Sequence, residues 1–270
     1  MMWLSVSKLA TLTKCRACFI EELTGLRKAV DGRVYAGLVM HRAYKMLLKR
    51  EADILTDDCR RLTSKSIKKA YGKLALEITH RLLDEYSRKL SIDEAVKIEV
   101  LLKKFSLNVL EKRSAWLINK VKELNYTNLE SILGKRIYEP FLSSPEYKVY
   151  GSPDMIEGNI IFEFKYSKPP KEGFVRKDFL LQVTWYSILS GIKTVEIVYL
   201  PSLVTERFKI SREYVSWAEK ILNEARILAN SRYNILEHTC RHTPQPLVKV
   251  GGGLNEESIH SILIYSAYTI

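Results

Sequence analysis

The chain has 270 residues, 46% hydrophobic and 27% charged, which suits a globular core and excludes an intrinsically disordered chain. Its 43 Lys and Arg outnumber 31 Asp and Glu, giving a formal charge of +12 and a pI near 9.4, so a polyanionic partner is expected. Nucleic acid and an anionic membrane surface both qualify; no apolar run approaches a membrane span, and Lys8 and Lys14 interrupt the N-terminal apolar residues, so a soluble, cytoplasmic protein without membrane partners is expected.

Residues 6–23 carry apolar side chains at near-helical spacing, with Ser5 or Ser7 as cap and Gly25 as stop. Asp31-Gly32 marks a turn. The spacing then predicts a helix over 35–49 that sets Gly37 and His41 on one face, four residues apart, where a glycine lets a backbone or ligand approach closely. Residues 57–89 and 91–123 read as two long helices, with Ser91 and Glu94 forming a capping box at the start of the second. Lys65, Lys68, Lys69 and Lys73 in the first, and Lys97, Lys103, Lys104, Lys112 and Arg113 in the second, read either as a solvated face or as nucleic-acid contacts.

After Gly134 the pattern changes to short β-prone runs. The first, 137–142, leads into a hairpin and holds Glu139, a surface glutamate that could also serve at a metal edge. Gly158-Asn159, between two apolar runs, is a two-residue turn signal. Counting outward pairs Glu157 with Ile160, Ile156 with Ile161, Met155 with Phe162 and Asp154 with Glu163. That register sets two carboxylates side by side, a repulsive arrangement that a divalent cation would relieve. Lys165 shares the face of Glu163, while Phe162 and Phe164 point to the other. Residues 168–173 form a loop that either touches DNA or simply connects. A helix over 178–189 follows, with Gln182 and Tyr186 on one face, then strands at 194–200 and 203–210 and a helix from Ser211 to about residue 232. Gly251 to Gly253 read as a joint before an apolar tail.

Standing alone, His41 would read as an ordinary packed histidine, and Gln182 and Tyr186 as filler. Together with Gly151-Ser152-Pro153-Asp154 and Glu163-Phe164-Lys165 they resemble something more specific. The G-x-P-D and E-x-K pair resembles the PD-(D/E)xK nuclease signature, and Gly37 to His41 and Gln182 to Tyr186 resemble the G-x-x-x-H and Q-x-x-x-Y motifs of its RecB-like branch. Order and spacing over roughly residues 3–242 are similar to those of the CRISPR-associated RecB-like exonucleases, including an archaeal iron-sulfur form of them.

The resemblance implies an α/β fold, a mixed sheet flanked by helices with a long helical insertion: N-terminal helices to residue 56, insertion 57–134, nuclease core 135–250 and tail 251–270. It implies a Mg2+- or Mn2+-dependent exonuclease acting on single-stranded DNA or DNA ends in CRISPR spacer acquisition, with an integrase complex as partner. His41, Asp154 and Glu163 would bind the metal, Lys165 would position the attacking water, and Gln182 and Tyr186 would hold DNA or orient Lys165. Rival readings are a non-cutting DNA-end adaptor and a junction or restriction-like endonuclease. Family members often hold an iron-sulfur cluster on one N-terminal and three C-terminal cysteines. Here the C-terminal triplet is absent, so a cluster needs Cys15, Cys18, Cys59 and Cys240 together. Zinc on Cys15, Cys18, Cys240 and a histidine, buried thiols without metal, and a Cys59-Cys240 disulfide are the alternatives.

Overall fold

The computed structural model describes residues 2–25, 32–56, 63–87, 90–123, 135–230 and 247–250. Its helices are α1 (Val6–Leu12), α2 (Arg16–Thr24), α3 (Gly32–Thr56), α4 (Ser64–Ser87), α5 (Ile92–Asn108), α6 (Ser114–Glu123), α7 (Lys177–Ser190) and α8 (Arg212–Asn230). Its strands are β1 (Leu4–Ser5), β2 (Arg136–Tyr138), β3 (Leu142–Ser144), β4 (Val149–Gly151), β5 (Met155–Glu157), β6 (Ile160–Tyr166), β7 (Phe174–Arg176), β8 (Thr194–Leu200), β9 (Val204–Lys209) and β10 (Leu247–Lys249). The α/β class expected from the pattern is what is found. Among the described residues no helix is long and apolar enough to cross a membrane.

The main sheet has strand order β2-β5-β6-β8-β9, antiparallel except where β6 pairs with β8 in parallel. Both its faces are covered, so β6 and β8 are largely buried on both sides, with Glu163 and Glu196 among the buried residues. On one face Ile156, Ile161, Val195, Ile197, Tyr199 and Phe208 pack in a core shared with α1, α7 and α8. Helix α8 meets it with Tyr214, Trp217, Ala218, Ile221, Leu222, Ala225 and Leu228, the i, i+3, i+4 stripe of a one-sided helix. On the other face Met155, Phe162, Phe164, Val198 and Leu200 share a core with α3 to α6, in which α3 packs on β6 while α4 and α5 pack on α3.

A buried charge cluster ties the helices to the sheet edge. Glu51 of α3 is fully buried and accepts from Arg113, from Arg136 of β2 at 2.9 Å and from the Tyr71 hydroxyl at 2.8 Å. Arg136 also donates to Glu157 at 2.6 Å and to the Leu48 carbonyl at 2.8 Å.

Local chemistry moves several predicted boundaries. The helix expected over 6–23 breaks into α1 and α2, because the Thr13 hydroxyl turns back onto the Ala10 carbonyl at 2.8 Å and Cys15 is extended at φ −165°. Of the turn expected at Asp31-Gly32, Asp31 lies outside the described residues and Gly32 already belongs to α3, which runs on past Lys49 to Thr56. The second long helix contains a π-helical turn, Val109–Arg113, between α5 and α6. The run over 137–142 divides into β2 and β3 where Glu139, before Pro140, takes φ +47°. Ser5 is the N-cap of α1, accepting from the Lys8 N–H at 3.3 Å, and the Ser91–Glu94 capping box is present.

Candidate active site

The β5–β6 hairpin turns at Gly158, which alone of the turn pair takes a positive φ, 56°. Its register joins Glu157 to Ile160, Ile156 to Ile161 and Met155 to Phe162, as counted from the sequence. The fourth pair does not join the ladder. Pro153 has no N–H and restricts Ser152 before it, so the chain bends ahead of β5 and Asp154 stands just outside the strand. Instead of sitting directly opposite Glu163, the Asp154 carboxylate replaces a main-chain acceptor, with Oδ2 taking the Phe164 N–H at 2.7 Å. The Asp154 carbonyl accepts from the Glu139 N–H at 3.1 Å.

His41 reaches the same carboxylate from α3, with Nδ1 3.4 Å from Asp154 Oδ1. Phe164 aligns the two elements: its N–H holds Asp154, while its ring meets His41 edge-on at 6.2 Å and Tyr44 at 4.8 Å between centroids. Lys45, one turn beyond His41, forms an ion pair with Glu139, which is exposed. Gly37 does not mark a tight approach: a Cβ there would lie 3.7 Å from Tyr166, an ordinary contact.

Glu163 and Lys165 lie on the opposite face of β6, toward α7. Lys165 Nζ donates to Glu163 Oε1 at 2.7 Å and to Gln182 Oε1 at 2.5 Å, and sits 4.8 Å from the centre of the Phe179 ring. Gln182 Nε2 donates in turn to the Tyr186 hydroxyl at 3.3 Å. Gly151 clears the far side of that ring: a Cβ at Gly151 would come within 2.9 Å of Tyr186 Cε1 and 2.8 Å of Val6 Cγ2.

The two carboxyls differ in charge state because their partners differ. Burial pushes both upward. For Asp154 the His41 contact, the Phe164 N–H and Lys165 outweigh burial and hold it below the usual range. For Glu163 burial wins over the single ammonium of Lys165, Asp154 adds repulsion, and the carboxyl rises to about 7. Its Oε2 is buried with no hydrogen-bond partner. Burial also drives the Tyr186 hydroxyl far upward, so it stays protonated.

Among the described residues no three His, Cys, Asp or Glu side chains are gathered closely enough to hold an ion unaided. His41 with Asp154 and Glu163 with Lys165 stand as two joined pairs. The donor chemistry still fits a hard divalent cation, since the Oε2 of Glu163 is a buried oxygen with no hydrogen-bond partner that feels the charge of a second carboxylate, Asp154. Asp154 and Glu163 would be its oxygen ligands and His41 its nitrogen ligand.

Cys15 is the N-cap residue of α2 and half-buried, and Cys18 lies one turn on and is buried. Cys59 and Cys240, expected in a cluster or a disulfide, Cys240 also in a zinc site, and the tail over 251–270 lie outside the described residues. No family model matches this chain, and no curated protein is significantly similar to it.

Three contributors escaped the sequence reading. Phe164 was expected to be core alone, yet its N–H fixes Asp154. Phe179 lies one turn before Gln182 on α7 and carries no motif of its own. Glu51 sits in a lysine- and leucine-rich helix where nothing marks it as buried.

Proposed function

We propose that this chain is a divalent-metal-dependent deoxyribonuclease that trims single-stranded DNA or DNA ends. The observation that carries the reading is Glu163: a buried carboxyl repelled by the Asp154 charge, with one oxygen on Lys165 and the other without a hydrogen-bond partner. A group left so is costly for a purely structural position and suited to binding a cation. Mg2+ or Mn2+ bound there would supply Lewis acidity and a water acidified for attack on a phosphodiester.

The side chains divide the remaining work. Asp154, locked by the Phe164 N–H and His41, is a fixed acceptor that pays little reordering on binding. Glu163 ionises once a positive partner faces Oε2. Lys165, held between Glu163 and Gln182 and kept over Phe179, places an ammonium where it orients the attacking water and faces charge developing on the phosphate. Gln182, steadied by Tyr186, keeps that ammonium from collapsing fully onto Glu163.

The resemblance of the G-x-x-x-H, G-x-P-D, E-x-K and Q-x-x-x-Y order to the RecB-like PD-(D/E)xK nucleases supports the same reading. It extends it to CRISPR spacer processing beside an integrase complex, and to an iron-sulfur cluster or zinc on the cysteines. Mn2+-dependent digestion of end-labelled single-stranded DNA by the wild type, abolished in Asp154→Ala and Glu163→Ala, is the expected result. Equal cleavage by all three proteins would overturn the assignment. DNA-end binding without cleavage would leave a non-cutting adaptor, and preference for branched duplex over free ends a junction endonuclease.

A further inference from the structure

Lys65, Lys68, Lys69 and Lys73 are exposed on one face of the first half of α4, away from the buried Ile67, Tyr71, Leu74 and Ile78. Among the described residues none of the four joins an ion pair. Several other cations of these helices are engaged, Arg42 with Glu85, Arg50 with Glu77 and Asp53, Lys103 with Glu99 and Arg113 with Glu51, whereas Arg81, Lys97 and Lys104 are scattered singly. Lys112 donates to the Ser202 carbonyl. Lys65 moreover lies in the first turn of α4, where no acidic residue stands and the helix dipole is positive. The grouping is therefore unfavourable to its own helix: Lys73 is partly offset by Glu77, which Arg50 already engages, and no ion pair joins Lys65, Lys68 or Lys69 among the described residues. Such a face fits an external anion with repeated charges.

Its place relative to the candidate active site suits an extended anion that reaches from one to the other. Arg42, next to His41, pairs with Glu85 near the end of α4, whereas Arg50 pairs with Glu77, so α3 and α4 run antiparallel. From Glu85 back to Lys69 is ~24 Å at 1.5 Å per residue. A strand of B-form duplex, which rises ~3.4 Å per phosphate along its axis, needs roughly seven of them to cover that span. We infer that Lys65, Lys68, Lys69 and Lys73 form a second contact for the phosphate backbone of DNA, remote from the reacting bond, which makes the protein's grip depend on strand length. This rests on the nuclease reading above.

The test compares the full chain with the quadruple variant Lys65→Gln, Lys68→Gln, Lys69→Gln, Lys73→Gln on labelled strands of about 30 and about 4 nucleotides. Because the four side chains are exposed and none forms an ion pair within 4 Å, circular dichroism should match the wild type and melting should change little. Binding of the long strand is expected to weaken about tenfold or more, and its slope of log affinity against log salt to fall by roughly 2 to 3, from ~0.7 per phosphate contact on a single strand. Hydrolysis of the short strand should be unchanged. An unaltered affinity and salt slope on the long strand would overturn the inference, as would a loss seen on anionic phospholipid vesicles and not on DNA. If the wild type cuts neither strand while the variant still loosens the long one, the nuclease reading fails and the backbone contact stands.

Discussion

Lys165 of β6 and Gln182 of α7 meet through a single hydrogen bond, Nζ to Oε1, that crosses from the sheet to the helix covering it. It gives the ammonium a second acceptor besides Glu163. Gln182→Ala leaves Lys165 with Glu163 alone, and kcat is expected to fall about 10- to 100-fold with KM little changed, the scale of losing an orienting partner. Tyr186→Phe, which removes only the 3.3 Å contact behind Gln182, should cost less. Steady-state kinetics on one DNA substrate checks both, and an equal loss in the two variants would contradict this order of importance.

The two glycines of the motifs should answer oppositely to alanine. At Gly151 the new Cβ meets Val6 and Tyr186 at under 3 Å, and Val6 is fully buried with nowhere to move. Gly151→Ala is expected to cost about 1–3 kcal/mol and to lower activity by displacing the Tyr186 ring. At Gly37 the Cβ finds ordinary contact with Tyr166 inside a helix, so Gly37→Ala should stabilise by about 0.5–1 kcal/mol. Thermal melts of the two variants decide the matter.

Glu163 sets a pH dependence for the metal-free protein. Its carboxyl is raised by burial from the ordinary 4.5 to about 7. Below pH 4.5 it is neutral in the folded and unfolded chains alike, and its contribution is fully present. As pH rises through 7 the fold must accept a buried charge that the unfolded chain already carries freely, and the contribution is lost. In chelator, the melting temperature should fall between pH 5 and 8, and Glu163→Gln should remove part of that slope. Added Mn2+ should restore the wild type at pH 8 but not the variant.

Glu51 sets the opposite dependence. Burial alone would raise it, yet Arg113, Arg136 and the Tyr71 hydroxyl overcome that and hold it below the ordinary value. Its contribution is present above that ordinary value and is lost as acid takes the pH down through the depressed one. Glu51→Gln leaves Arg113 and Arg136 facing each other without a buried anion, and about 3–5 kcal/mol should be lost in urea unfolding at pH 7. A loss below about 1 kcal/mol would mean that water already shares the cluster.

Much of the candidate site was legible because it depends on neighbours in sequence. The Gly158 turn and the two-residue period of strands fixed the hairpin register and put Glu163 and Lys165 on one face. The four-residue repeat of helices put Gln182 and Tyr186 on another. The capping box at Ser91 and the apolar stripe of α8 are local in the same sense.

What the chain could not announce by itself are the relations set by packing between distant elements. Asp154 was expected in the ladder and instead bends out to take the Phe164 N–H, because the outcome depends on how Pro153 enters the sheet. The contact of His41 with Asp154, the approach of Lys165 to Gln182, the crowding at Gly151 and the burial of Glu51 each join segments far apart in sequence. Periodicity tells which way a side chain faces along its own element. Which partner waits there, and whether water is excluded so that a carboxyl rises or falls, is decided when the layers close.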